Sequence, residues 1–206
     1  VAGLGVLTKG PVAVALPALV FGAYLLMNRE LRRLLEMKLV AGALIILVIV
    51  VPWYAALYNR YGWTYITSFI SGENIARYTE GVGVQMSRGS LFYFPVLFSD
   101  SFPWSAFLPV AAWSWFADRR AAMAATVEDE RLAFRVRTLL WLWIVAIVVF
   151  FSFSAAKQDL YIFPIVPAVA ALAGLFIACA AASQPVQSAA LRRTVAAVGF
   201  VIALAG

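Results

Sequence analysis

Histidine is absent from the 206 residues, cysteine occurs once, at Cys179, and only 13% of the side chains are charged. Without histidine no zinc site of the usual Cys/His kind can be built, and one cysteine cannot make a disulfide framework. No Walker motif, GxGxxG fingerprint or GxSxG elbow occurs either, which removes nucleotide-driven pumps and serine hydrolases from this stretch. What abounds is apolar: 64% of residues are hydrophobic and the mean hydropathy is +0.90. That composition lies outside the soluble class and defines an integral membrane protein.

Apolar runs of about 20 residues, enough to cross a bilayer as helices, fall near 11–27, 39–58, 92–116, 138–154 and 160–182, and another begins near 195. The expected fold is therefore all-α, a polytopic transmembrane helical bundle of five full spans and the start of a sixth. Of the 16 cations, 11 lie in the connections 28–38, 117–137 and 183–194, and five (Lys9, Arg60, Arg77, Arg88 and Lys157) lie on the opposite side. The bias places the three connections in the cytoplasm and accounts for the net charge of +6 as topology, not nucleic-acid binding. Val1 follows no Met or charged leader and Gly206 stops inside an apolar run, so residues 1–206 are expected to be one region of a longer chain, with an amino-terminal catalytic loop and a carboxy-terminal part beyond it.

One long segment, the juxtamembrane loop 59–91, lies on the outer side. Trp63, Tyr65, Ile66, Phe69, Ile70, Ile75 and Tyr78 recur there at near-helical spacing among polar residues. This predicts an interfacial amphipathic helix. Gly81, Gly83 and Gly89 mark a flexible stretch after it. The alanine-rich stretches 111–125 and 168–190 suit close helix packing.

Ionisable residues near membrane depth are costly and mark functional candidates. Lys157 sits in a short outer hairpin with Tyr161 one turn later, so the two share a face if a helix begins there; together they suit a lipid phosphate or pyrophosphate. The alternative is a snorkelling lysine paired with Asp159. Lys9 precedes Gly10-Pro11, where Thr8 caps the next helix and the helix N-terminus with its lysine forms either an anion site or ordinary capping. Glu73 and Arg77, with Asn74 between, form either an i,i+4 pair or an interfacial phosphate site. Asp100, between Pro95 and Pro103, is either an N-terminal cap or a carboxylate in a polar cavity. Pro52-Trp53-Tyr54 and Pro103-Trp104 are either belt aromatics or stacking surfaces for a sugar ring.

Three blocks then stand in a familiar order: Gly3-Leu4-Gly5-Val6-Leu7-Thr8-Lys9-Gly10-Pro11; Glu73-Asn74-Ile75-Ala76-Arg77-Tyr78 followed by Arg88-Gly89-Ser90 and Phe102-Pro103-Trp104; and Phe151-Ser152 through Lys157-Gln158-Asp159-Leu160-Tyr161 to Pro164. With these blocks the chain resembles the polyprenyl-phosphate-dependent, C-type membrane glycosyltransferases, which include the 4-amino-4-deoxy-L-arabinose lipid A transferase and protein O-mannosyltransferase-like proteins. The resemblance implies a multi-pass enzyme of the bacterial inner membrane whose active site faces the periplasm. It would transfer a sugar from an undecaprenyl-type phosphate to a lipid, glycan or protein acceptor.

The resemblance also places the catalytic acid in a first outer loop, upstream of Val1. It leaves Lys157, Arg77 and Lys9 as partners of the donor phosphate with Tyr161 beside them, and Glu73, Asn74, Asp100 and Arg88 as polar support. Arabinose-transferase members carry a metal-associated His after the Glu of block two, where Asn74 stands here. No cofactor is therefore expected within 1–206, although a divalent metal is compatible with the full-length protein, and a mannosyltransferase-like specificity is favoured. The rival readings are a transporter or lipid flippase and an inactive scaffold of the same fold. Against the transporter, the spans show no inverted repeat.

Overall fold

In lipid a backbone must satisfy its own hydrogen bonds, and apolar runs of this length can do so only as helices. The computed structural model describes residues 1–81, 88–124 and 128–182, together with Arg193 and Ala196. All regular elements among these residues are helical. The expected sixth span, most of the connection 183–194 and the glycine stretch around Gly83 lie outside the described residues.

Three helical runs, Leu39–Glu80, Glu128–Ser152 and Asp159–Ala178, are long and apolar enough to cross a membrane, and Val12–Met27 is a shorter apolar helix. Four of the five expected spans thus have their helix. The fifth, 92–116, is not one helix. It divides into α6 (Tyr93–Asp100), a 3-10 turn (Trp104–Phe107) and α7 (Leu108–Ala124). Pro103, which has no N–H to donate, stands between the two α-helices. Pro95 lies in the first turn of α6 and Pro109 in that of α7, where the missing donor costs nothing. The break is stitched by Ser105, 1% exposed, whose N–H donates to Ser101 O and whose hydroxyl donates to Phe98 O at 2.7 Å.

The chain forms two compact units, residues 1–90 with 149–158, and residues 91–148 with 159–206. In the first, α1 (Ala2–Lys9) packs on both α2 (Val12–Met27) and α4 (Leu39–Thr67). Gly3 permits this approach, because a Cβ there would stand 3.0 Å from Ile49 Cδ1. Between α2 and α4, Arg33–Glu36 forms a single turn, α3. Its Arg33 pairs with Glu30 at 3.2 Å on an exposed surface, a contact of small energetic weight.

α4 does not end with the apolar run. It turns at Gly62, whose φ of 74° only glycine adopts readily, and continues through a π-helical segment (Ser68–Ala76) into the single turn α5 (Arg77–Glu80). The expected interfacial helix is thus the continuation of a membrane-length helix. Its apolar side chains divide between Ile66, 7% exposed, and a row of exposed ones including Trp63, Tyr65, Ile70 and Ile75.

In the second unit α9 (Val166–Ala182) packs on the 3-10 turn Trp104–Phe107 and on α7. Ala168 and Ala173 are buried to within 1%, as close helix contact through small residues requires. From α7, Trp115 donates its indole N–H to Thr138 Oγ1 of α8 (Glu128–Ser152) at 2.9 Å, and Asp118 accepts from Arg137 at 2.9 Å. The second pair ties together the two ends of the connection 117–137.

Candidate functional site

Block three ends α8 at Ser152 and runs as irregular backbone until a 3-10 turn begins at Asp159. Irregular backbone needs outside partners for its N–H groups. It finds them at the carboxy-terminal end of block two: Ala155 N–H donates to Tyr78 O at 2.7 Å, and Ala156 N–H to Arg77 O at 3.3 Å. The Tyr78 hydroxyl in turn donates to Phe150 O at 2.9 Å, and the Tyr78 and Phe150 rings lie 4.8 Å apart. Blocks two and three are therefore joined through backbone bonds, and Arg77 and Lys157 belong to one locus.

Lys157 is 6% exposed, and its ammonium donates to Ser154 O at 2.5 Å. It is held inside the protein, which overturns the snorkelling alternative. The shared face with Tyr161 also fails, because Lys157 precedes the helix and the i,i+4 relation requires both residues within it. Tyr161 is half-buried in the 3-10 turn Asp159–Ile165. Arg77 is half-buried, with its Nε excluded from solvent. Arg88 is half-buried just ahead of the 3-10 turn Ser90–Phe92. Glu73 lies in the π-helical segment, and its side chain is outside the described residues.

Block one meets block two through Gly10 and Asn74. Gly10 has φ 73°, and a Cβ on it would stand 2.8 Å from Asn74 Oδ1. The Asn74 amide N–H donates to Phe69 O at 2.8 Å. Lys9 is the exposed last residue of α1, so its charge meets the negative end of that helix. Thr8 does not cap α2. Its hydroxyl bonds back to Leu4 O and Gly5 O, and Pro11 takes the cap position. Asp100 closes α6 instead of capping the helical turn after it, and accepts from the Ser99 hydroxyl at 2.9 Å. With Ser101 and Asp159 it borders a hollow of about 20 Å³, too small for a substrate.

Asn74 stands where the resemblance implies a metal-associated His in the arabinose-transferase members. Its carboxamide N–H donates to Phe69 O, and its Oδ1 lies close against Gly10. Among the described residues no group of three or more His, Cys, Asp or Glu converges to hold a metal.

Two features escaped sequence reasoning. Tyr78 was legible as an apolar interfacial residue and as the end of block two, with no role of its own, yet its hydroxyl and carbonyl both bond to block three. The Gly10–Asn74 approach had one signal, a glycine before a proline, which speaks of a turn and not of a partner 64 residues away.

Fold and site together define a polytopic helical membrane protein with a buried lysine in an interhelical loop docked on an outer helix. No protein-family model matches the chain. Over 174 residues it is 32% identical to undecaprenyl phosphate-alpha-4-amino-4-deoxy-L-arabinose arabinosyl transferase 1 of Pseudomonas fluorescens Pf0-1, covering 84% of this chain and 28% of that protein. It is 35% identical over 172 residues to the transferase of the same name, without a number, from Pseudomonas aeruginosa LESB58, with the same two shares. The crystal structure of ArnT from Cupriavidus metallidurans bound to undecaprenyl phosphate superposes with a TM-score of 0.65 at 30% identity, over 84% of this chain and 29% of that one. Over 84% of its length the chain is thus similar to one segment of these arabinosyl transferases, in sequence and in fold. It spans about 28% of the length of the curated relatives it matches.

Proposed function

We propose that these residues supply the carrier-phosphate part of an enzyme that moves a sugar from an undecaprenyl-type phosphate to a lipid, glycan or protein acceptor. The site faces the periplasmic side of the bacterial inner membrane. The observation that carries the reading is Lys157. An ammonium group has three N–H donors, and among the described residues the protein accepts one, at Ser154 O. Burying a cation with so little compensation costs several kcal/mol, a penalty that an incoming phosphate offsets. The loop bearing it is bonded to the backbone of Arg77, whose guanidinium suits two phosphate oxygens at once. Lys9 remains a member of the same proposal with weaker support, and Glu73, Asn74 and Arg88 of the same unit act as polar support; Tyr161 and Asp100 belong to the second unit and form no part of it.

In the reaction the leaving group is the carrier phosphate. Its anionic oxygens meet fixed cations in a medium of low dielectric, where such stabilisation is strongest. The resemblance implies that the base activating the acceptor lies in a loop upstream of Val1, outside residues 1–206. The test is transfer from a polyprenyl-phosphate sugar by the full-length protein carrying Lys157→Met or Arg77→Gln. Loss of transfer with normal membrane insertion supports the reading, and near-normal turnover in both variants refutes it.

A further inference from the structure

The turn at Gly62 brings two stretches of α4 against each other and leaves a cavity of about 180 Å³ within the first unit. It is lined by Leu7 of α1, by Trp53, Tyr54, Leu57, Tyr65 and Ile66 of α4, and by Phe69 of the π-helical segment. None of these seven side chains carries a charge at neutral pH, and four are aromatic. The Tyr54 and Tyr65 hydroxyls and the Trp53 indole N–H are the polar side-chain groups of the lining. None of the three makes a hydrogen bond among the described residues, and the Trp53 and Tyr65 side chains, 55% and 47% exposed, leave the cavity open on one side. Tyr54 and Phe69 form a tilted aromatic pair on one wall of the space, with ring centroids 6.4 Å apart at 53°.

We propose that this cavity is a subsite for an uncharged pyranose ring. A sugar ring has apolar C–H faces that lie against aromatic rings and hydroxyls at its edge that need partners. The lining offers both kinds of surface. A hydrocarbon chain has no use for two hydroxyls and an indole N–H, and leaving these without partners in an apolar contact is costly. An amino sugar brings an ammonium group, and among the described residues no carboxylate lines the cavity to receive it. The volume fits one ring and not an oligosaccharide. Phe69 and Arg77 stand roughly two helical turns apart on one continuous helical run, so ring and carrier phosphate would be bound by the same element. The inference deepens the proposed transferase reading and rests on it for the origin of the sugar, which is either the donor's own ring or a glycan acceptor.

The test uses the full-length protein in lipid nanodiscs with two probes applied separately. One is a set of uncharged methyl pyranosides (gluco, manno, galacto), read by saturation-transfer NMR. The other is undecaprenyl phosphate without a sugar, read by competition. Leu57→Trp, which fills the cavity, is expected to abolish the NMR signal of the glycoside that binds the wild type while leaving carrier affinity within twofold. Tyr54→Phe, which keeps the volume, is expected to weaken that glycoside about tenfold. Lys157→Met is expected to do the reverse of Leu57→Trp, weakening the carrier and sparing the glycoside, so unchanged carrier affinity there refutes the phosphate reading and leaves the sugar subsite standing. In the transfer assay, a raised KM for the sugar donor in Tyr54→Phe identifies the donor ring, and a raised KM for the acceptor identifies the glycan. The proposal is overturned if no pyranoside binds the wild type, if Leu57→Trp loses carrier and keeps the glycoside, or if methyl 4-amino-4-deoxyarabinoside binds more tightly than every uncharged ring.

Discussion

The carbonyl of Arg77 accepts a hydrogen bond from the N–H of Ala156, at 3.3 Å, and Ala156 immediately precedes Lys157. Two cations 80 residues apart in sequence are thereby fixed to one piece of backbone. Neither lies on a rigid helix centre: Arg77 opens a single turn, and Lys157 stands in an irregular loop. Their common placement therefore depends on the bonds between the two segments.

Lys157→Met tests whether the buried charge serves stability or binding. Replacing a buried, incompletely compensated ammonium by an apolar chain of similar length is expected to leave Tm unchanged or raise it. Transfer is expected to fall by about 100-fold or more, the scale seen when one fixed electrostatic donor is removed. Parallel thermal-shift and turnover measurements decide the point, and a fall in both would assign Lys157 a structural role.

Tyr78→Phe keeps the ring against that of Phe150 and removes only the hydroxyl bond to Phe150 O. The loss should be about 1 kcal/mol, with the main-chain bonds from Ala155 and Ala156 retained. Hydrogen exchange at Ala155 and Ala156 should quicken modestly. Tyr78→Ala, which also removes the ring, should cost more and reduce transfer by loosening the loop that bears Lys157.

Gly10→Ala introduces a Cβ 2.8 Å from Asn74 Oδ1 at a backbone φ of 73°. Strain and crowding together should destabilise the protein by about 1–3 kcal/mol, read as a lowered Tm. Asn74→Ala in the Gly10→Ala background relieves the crowding but not the φ strain, so partial recovery of Tm is expected. No recovery would place the cost wholly in the backbone.

Ser105→Ala leaves Phe98 O without its side-chain donor at the break between α6 and α7. The serine is 1% exposed, so water does not readily replace it, and a loss of about 1–3 kcal/mol is expected in the same thermal-shift assay.

The sequence made some of this visible and hid the rest for definite reasons. Hydropathy located Val12–Met27 to within one residue of the expected 11–27, because a long uninterrupted apolar run has one solution in lipid. In 92–116 the prolines Pro95, Pro103 and Pro109 signalled a break that hydropathy alone runs through, and the backbone fixes it at Pro103, between α6 and α7. Hydropathy saw the interfacial segment after residue 59 but not that α4 runs into it, since Gly62 reads equally well as an end or a turn. At the site, Lys157 and Arg77 were legible as costly charges and through the resemblance of their blocks. The bonds that unite them involve main-chain atoms of Ala155, Ala156, Arg77 and Tyr78, which no side-chain pattern encodes. The expected Lys157–Tyr161 face failed for the complementary reason: spacing implies a shared face only when both residues are helical.

The most direct test of the central claim is the affinity of the full-length protein in nanodiscs for undecaprenyl phosphate, compared between the wild type and Lys157→Met. A buried ammonium that receives the carrier phosphate predicts at least tenfold weaker binding in the variant, with Tm preserved. Equal affinity in the two proteins would contradict the account.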